Sequence, residues 1–403
     1  MEFATTTESY DVNEVLKYID QRDATKIKQY VSKYFLKLNT TQQTLFWIPE
    51  EKKLELLDDK IIRSRYLTRE LTIYPTNPKE QEWVVPFWFY GVTNPCYRPC
   101  MKINHDRVFK GNGGTNYINF FPELLHGRKQ RKSLKDYSKE VQLKVQKIWD
   151  HINIVWCSRK QTQFKYCQIY IAKMVSGKKM TATIYIRSMK GIGKSCIIEF
   201  LRDWVLGTEV VYQTSDINIL TGRFNGPLCG KMIVNLEEVQ CSTQSEWRVL
   251  DSKLKNTITE SRISIEKKGK DQIDVENTVT ILIFANKNAI PFTHDERRYF
   301  SPDSSSEMKG NKQYFIELYE CIKDKEVAEA FYFNCLEIAE ANPKWHEQFD
   351  MPMTEEHKKN VADNISSLMQ FIKEEFIIKN KGIDMKFSSF YNKYETPLNS
   401  PSI

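Results

Sequence analysis

Four short stretches carry residues whose types and order could handle a phosphate chain. The first, Lys190-Gly191-Ile192-Gly193-Lys194-Ser195, sets two glycines before a lysine and a hydroxyl. Glycines let a backbone wrap phosphates with its N–H groups inward; the lysine reaches the outer phosphates, and the hydroxyl ligates Mg²⁺. Residues 190–195 are thus the candidate ATP-binding loop, with Ser195 on the metal. The second, Glu237-Glu238, ends an apolar run. One carboxylate there can orient hydrated Mg²⁺ while the other polarises an attacking water, and Glu237 is the metal candidate. The third is Asn286, at the end of another apolar run, placed to hold that water or the terminal phosphate. The fourth is Arg297-Arg298, whose planar guanidiniums match a phosphate, so that one of them is a candidate arginine finger.

Taken singly, each stretch has a plainer reading. The full loop pattern G-x-x-x-x-G-K-[ST] asks for Gly where this chain has Ser188, and a bare GxGKS can be a surface turn. An acid pair can mark a strand leaving for solvent, and paired arginines usually make surface ion pairs worth little. Their order along one chain favours the joint reading.

The elements needed to position them are legible. Ile184, Tyr185 and Ile186 read as a buried strand before the loop, and Ile197, Ile198, Phe200 and Leu201 as a helix after it. Val210-Val211-Tyr212 is a short strand, Ile233, Val234 and Leu236 mark another, and Val279 to Phe284 reads as a strand buried on both faces of a parallel sheet. From Arg262 to Val275 the apolar residues alternate on either side of Lys267-Lys268-Gly269-Lys270, which predicts a hairpin with a cationic tip.

These blocks resemble the superfamily 3 helicases, AAA+ ATPases of viruses, phages and plasmids, and most closely the helicase part of primase-helicases. The resemblance covers residues ~115–340 and rests on the loop, the acid pair, Asn286 and Arg297-Arg298-Tyr299-Phe300, with flanking text in NYINFF, ILTGRFNGPLCGK and LKNTITESRISIEKKGKD. It departs at Ser188 and at Glu237, where many relatives have Asp. The resemblance implies an α/β fold: an ASCE P-loop core with a parallel sheet in the order 5-1-4-3-2, an α+β N-terminal region and a helical C-terminal region. It also implies an ATP- and Mg²⁺-dependent DNA helicase or translocase working as a homo-hexamer, with one subunit's arginine reaching its neighbour's ATP. Lys267, Lys268 and Lys270 would then grip single-stranded or forked DNA in the central channel, and a primase or polymerase is an expected partner. The rival reading is an AAA+ initiator, loader or packaging ATPase that switches assembly state without unwinding; it has no need of lysines at a pore tip. A nucleic-acid-binding protein with a decayed ATPase is a further alternative, suggested by Ser188.

Around this core the chain divides, on sequence, into an N-terminal α+β region at 1–135, an accessory or DNA-binding part or a link to a primase; the ATPase core with its preceding helices at 136–310; and a helical region at 311–403. Its final stretch, FSSFYNKYETPLNSPSI, looks like the opening of a winged-helix-like module that stops short. Helices are expected over 10–38, a hairpin over 44–62, and a turn at Asn112-Gly113-Gly114 between two short strands. The basic run 127–139 reads as a solvated linker, with nucleic-acid contact as the sharper alternative. Cys96, Cys100 and His105 offer three metal donors, with His126 a distant fourth; zinc usually takes four in paired knuckles, so a Pro-punctuated turn at 94–100 is the preferred reading. A 403-residue chain with net charge +7, 41% hydrophobic and 28% charged residues has the composition of a soluble globular protein. No run of ~18 apolar residues and no signal peptide are visible, so an intracellular protein with no membrane partner and reduced thiols is expected.

Overall fold

The computed structural model of the chain describes residues 3, 6–21, 23–38, 43–50, 53–58, 97–103, 105–239, 244–266, 268, 272–286, 290, 292, 296–363, 367–379, 382 and 385–391. Contacts gather the chain into two units: Met1–Gly127 with Ser261–Thr278, and Arg128–Glu260 with Val279–Ile403.

The first unit opens with helices α1 (Val12–Asp20) and α2 (Ala24–Tyr34), the second capped by Asp23, whose side chain accepts from the Lys26 N–H. Their apolar faces meet an antiparallel sheet of β1 (Phe35–Lys37), β2 (Gln43–Ile48) and β3 (Lys53–Asp58) around Val15, Ile27, Val31, Phe35 and Phe46. The hairpin expected over 44–62 is therefore β2–β3. A second small sheet has β6 (Asn116–Asn119) at its centre, between β4 (Arg98–Cys100) and β5 (Val108–Lys110). The β5–β6 turn uses Gly113 at φ 75° and Gly114 at φ 77°, the left-handed region that glycine enters without strain. The hairpin of β10 (Arg262–Ile265) and β11 (Ile273–Glu276) is antiparallel and joins this unit.

One expectation needs correction here. The turn expected over 94–100 is in part a strand, because β6 accepts Arg98–Cys100 as a parallel neighbour and Tyr97 bridges to Leu38. Cys96 lies outside the described residues; Cys100 is a free thiol, pushed up to about 11 by burial. Among the described residues no group of His, Cys, Asp and Glu is arranged to hold a metal ion.

The second unit is built on a five-stranded parallel sheet of β7 (Thr183–Arg187), β8 (Val211–Thr214), β9 (Ile233–Glu237), β12 (Thr280–Ala285) and β13 (Tyr299–Phe300), lying in the order β13-β7-β12-β9-β8. All six residues of β12 are buried, as its unbroken apolar run predicts for a central parallel strand. Each such aliphatic or aromatic side chain contributes about 1.5–3 kcal/mol by leaving water.

The helices of this unit are α3 (Lys139–His151), α4 (Gln161–Val175), α5 (Cys196–Phe200), α6 (Asn218–Thr221), α7 (Gln244–Thr259), α8 (Lys312–Ile322), α9 (Lys325–Ala341), α10 (Glu355–Asp363) and α11 (Ser367–Ile372). Phe331 on α9 stacks near Trp149 on α3, ring centroids 4.7 Å apart, and near Phe200 on α5 at 5.2 Å, so one side chain ties three helices together. The winged-helix expectation falls largely on residues outside those described. No helix among the described residues is long and apolar enough to cross a membrane.

The basic run beginning at Gly127 is neither an unattached linker nor a free cationic strip. Lys129 reaches Glu329 at 2.7 Å, and Arg131 meets both oxygens of Glu340 at 2.6 and 2.8 Å. Carboxylates on α9 at positions 329 and 340 take up charges that sequence reading could assign only to solvent or nucleic acid.

Candidate functional site

The loop between β7 and α5 leaves the carboxyl end of the sheet, where open α/β sheets place their ligands. Gly191 at φ 78° and Gly193 at φ 88° sit in the left-handed region, so both glycines are required by the backbone itself. Ser188 is not among the residues with positive φ; its N–H donates to the Ala285 carbonyl at 3.1 Å. A serine is therefore accommodated at that position without backbone strain.

Side chains from three neighbouring strand ends meet in one hydrogen-bonded line. Lys194 donates to Asn286 Oδ1 at 2.9 Å, and Asn286 Nδ2 donates to Glu238 Oε1 at 2.8 Å. Lys190 closes on the same Glu238 oxygen at 3.2 Å. Burial pulls the Lys194 ammonium below its ordinary pKa, against the opposing pull of Glu237 and Glu238. The Lys190 contact holds the Glu238 carboxyl below the usual range, with Asn286 and Lys194 adding to it. Glu238 is also one of three non-glycine residues with positive φ among the described residues, at 51°, and its N–H donates to the Phe284 carbonyl at 2.8 Å. A non-glycine residue in that region marks local strain, here at the end of the acid-bearing strand.

Glu237 faces a different set of partners. Asn235 Nδ2 donates to its Oε1 at 3.1 Å and Gln213 Nε2 to the same atom at 3.4 Å, while Arg202 donates to Gln213 Oε1 at 2.6 Å. The two adjacent acids therefore have separate partners: Glu237 the amides along the sheet, Glu238 the loop lysine and Asn286.

The residues present fit a nucleotide with Mg²⁺. Among the described residues the Ser195 hydroxyl makes no hydrogen bond, and it does not cap the helix that follows it. Space is open where a Cβ on Gly191 would lie. Hydroxyl and carboxylate oxygens from Ser195 and Glu237 are the hard donors that Mg²⁺ takes.

Of the other expected residues, Arg297 is exposed and makes no ion pair among the described residues, whereas Arg298 is turned to its own chain, its guanidinium 3.3 Å from Glu296. Lys268 is exposed at the hairpin tip; Lys267 and Lys270 lie outside the described residues.

Sequence reading missed a buried histidine behind the loop. His151, at the end of α3, contacts the Gly193 carbonyl through Nε2 at 2.9 Å and Tyr314 Oη through Nδ1 at 2.8 Å. Burial pushes the imidazole down to about 4, so it is neutral near pH 7. With Nε2–H donating to the carbonyl, Nδ1 accepts from the tyrosine hydroxyl. A Cβ on Gly193 would come within 2.5 Å of the Phe315 ring and 3.0 Å of His151, so the loop is pressed against α3 and α8. Nothing local announces this contact, since His151 and Gly193 are 42 residues apart. Asn235 could have been noticed as a polar residue inside an apolar strand.

Residues 186–298 match a protein-family profile described as a family of unknown function, DUF5906. Over 206 residues the chain is 22% identical to the DNA Primase-polymerase of Nitratiruptor phage NrS-1, a match covering 51% of this chain and 28% of that protein. Among solved structures, the apo structure of the NrS-1 C terminal region superposes with a TM-score of 0.63 at 17% identity, covering 90% of this chain and 82% of the other. The A form apo structure of the same region gives 0.62 at 16% identity, with the same coverage. The likeness is one of fold.

Proposed function

We propose that this chain is an ATP-hydrolysing motor acting on DNA in phage replication, of the superfamily 3 helicase kind. The observation that carries the reading is the line Lys194–Asn286–Glu238, which joins the glycine loop to the ends of the third and fourth strands of the parallel sheet. The order of those strands, β13-β7-β12-β9-β8, supports an AAA+ core, and the similarity to a phage DNA primase-polymerase supports the setting.

On this reading the loop N–H groups and Lys194 bind the phosphates of ATP, the substrate. Ser195 and Glu237 would hold Mg²⁺, which would supply charge neutralisation at the transferring phosphoryl group. Glu238 accepts a proton from the attacking water, and Asn286 fixes the position of that water between Glu238 and Lys194. Arg297, exposed and unpaired among the described residues, is the better candidate to reach a neighbouring subunit's phosphate, which calls for a ring.

ATP turnover by wild type and by Lys194→Ala tests the site. The variant should lose at least ~10²-fold, as expected for removing a preorganised charge at a transferring phosphoryl group. Turnover at the wild-type rate in that variant would discard the assignment. Light scattering of the same samples with ATP tests the ring, and a monomer under all conditions would remove it.

A further inference from the structure

The small sheet of the first unit carries a feature that nucleotide hydrolysis does not use. One row across β4, β6 and β5 reads Arg98, Tyr117, Phe109, since Arg98 pairs with Tyr117 and Tyr117 with Phe109. Paired residues share a face, and the other face is committed to the core: Ile118 is fully buried beside Trp47 and Leu45. On the outward face the Phe109 and Tyr117 rings stack, with centroids 5.3 Å apart and planes within 12°. The His105 ring lies against Phe109, centroids 3.9 Å apart and planes tilted by 44°, and Lys102 Nζ sits 5.3 Å from the Phe109 centroid. Gly111 gives the rings room, for a Cβ there would fall 2.5 Å from the Tyr117 ring.

Both ends of the row of rings are wet and cationic. His105, Lys102 and Arg98 are exposed, while Phe109 and Tyr117 are half-buried. Among the described residues from 97 to 119 the charged side chains are Arg98, Lys102, Arg107 and Lys110 against the single carboxylate Asp106. Arg107 is engaged by the Asn119 and Phe121 carbonyls; the other three cations remain at the surface. A row of rings ending in an exposed imidazole, edged by exposed cations, matches a chain of unpaired bases on a phosphate backbone. A duplex hides its base faces and does not match. The hairpin bearing Lys268 belongs to the same unit.

We propose that the β4–β6–β5 face is a second binding site for single-stranded nucleic acid, with a base stacking on His105 and phosphates lying on Lys102 and Arg98. The site does not depend on the ATPase reading. It is tested with the full chain, without nucleotide, by fluorescence anisotropy of labelled oligothymidylate, oligouridylate and a DNA duplex of equal length.

His105→Ala should weaken single-strand binding about tenfold, the scale of one lost base–ring stack, whereas His105→Phe should stay within about twofold of wild type. Lys102→Ala should flatten the dependence of log affinity on log salt by about 0.7, as for one phosphate contact on a single strand. Comparison of the thymidylate and uridylate arms tells DNA from RNA. Equal binding by His105→Ala and His105→Phe, or a duplex bound as tightly as the single strands, overturns the proposal. If Lys268→Ala alone weakens binding, the hairpin stands and this face does not; wild type that binds no single strand removes both.

Discussion

Lys194 is a cation half withdrawn from water, and its position is set by one amide. Asn286 accepts from Lys194 and donates to Glu238, so its two ends read a cation on one side and an anion on the other. Aspartate in its place would set a third carboxylate beside Glu237 and Glu238. The placement of Lys194 and Asn286 near one another could be anticipated because the apolar runs before the glycine loop and before Asn286 set both at the ends of neighbouring strands. His151 could not, since its meaning lies in the Gly193 carbonyl and the Tyr314 hydroxyl rather than in its neighbours along the chain. Its role as a positioning group predicts that His151→Leu raises the Kd for ATP about tenfold, the cost of one buried hydrogen bond left unmade. His151→Gln, which keeps a donor for the carbonyl, should stay within about threefold. Calorimetric titration of both checks this, and equal affinities for the two variants would remove the histidine from the account. Tyr314→Phe, which deletes only a hydroxyl, covers the case in which the leucine variant does not fold.

Among the elements, those with an unbroken or alternating apolar pattern were legible: β7, β9 and β12 of the parallel sheet, the β2–β3 and β10–β11 hairpins, and the glycine turn between β5 and β6. Elements whose state depends on a distant partner were not. Arg98–Cys100 is a strand because β6 has an edge to offer, and the cations at 129 and 131 are paired because α9 presents Glu329 and Glu340. Glu347 is a third case. Its side chain, 1% exposed, accepts from the Thr181 N–H at 2.9 Å and Oγ1 at 2.8 Å and pairs with Lys178 at 2.7 Å, pinning the approach to β7. Burial opposes its charge, yet the Lys178 and Thr181 bonds outweigh that and hold the carboxyl at about 2. An unfolded chain takes up this proton near 4.5 and the native chain only near 2, so the contribution is complete above 4.5 and is lost as pH falls between the two. Its size is on the order of 2 kcal/mol after a discount for solvent screening. Glu347→Gln should melt several degrees below wild type at pH 7, with the gap closing as pH falls below about 4.5. A gap of constant size across that range would contradict the assignment.

At the scale of the whole molecule, the segment 261–278 leaves the second unit in sequence and joins the first unit in space. Sequence pattern showed the hairpin but not its allegiance, because the alternation of Ile263, Ile265, Ile273 and Val275 fixes a pairing and says nothing about which core receives it. That excursion carries the exposed Lys268 into the unit that also holds the Arg98–Tyr117–Phe109 row. The proposals place ATP chemistry and nucleic-acid contact in separate units joined by three crossings of the chain, at Gly127 to Arg128, at Glu260 to Ser261 and at Thr278 to Val279. The measurement that tests this most directly is ATP turnover with and without single-stranded DNA, on wild type and on the triple variant Lys267→Ala/Lys268→Ala/Lys270→Ala. The account predicts several-fold stimulation by DNA in wild type and none in the variant, with basal turnover intact in both. Turnover indifferent to DNA in both proteins would contradict a DNA-driven motor and leave an ATPase that switches its assembly state.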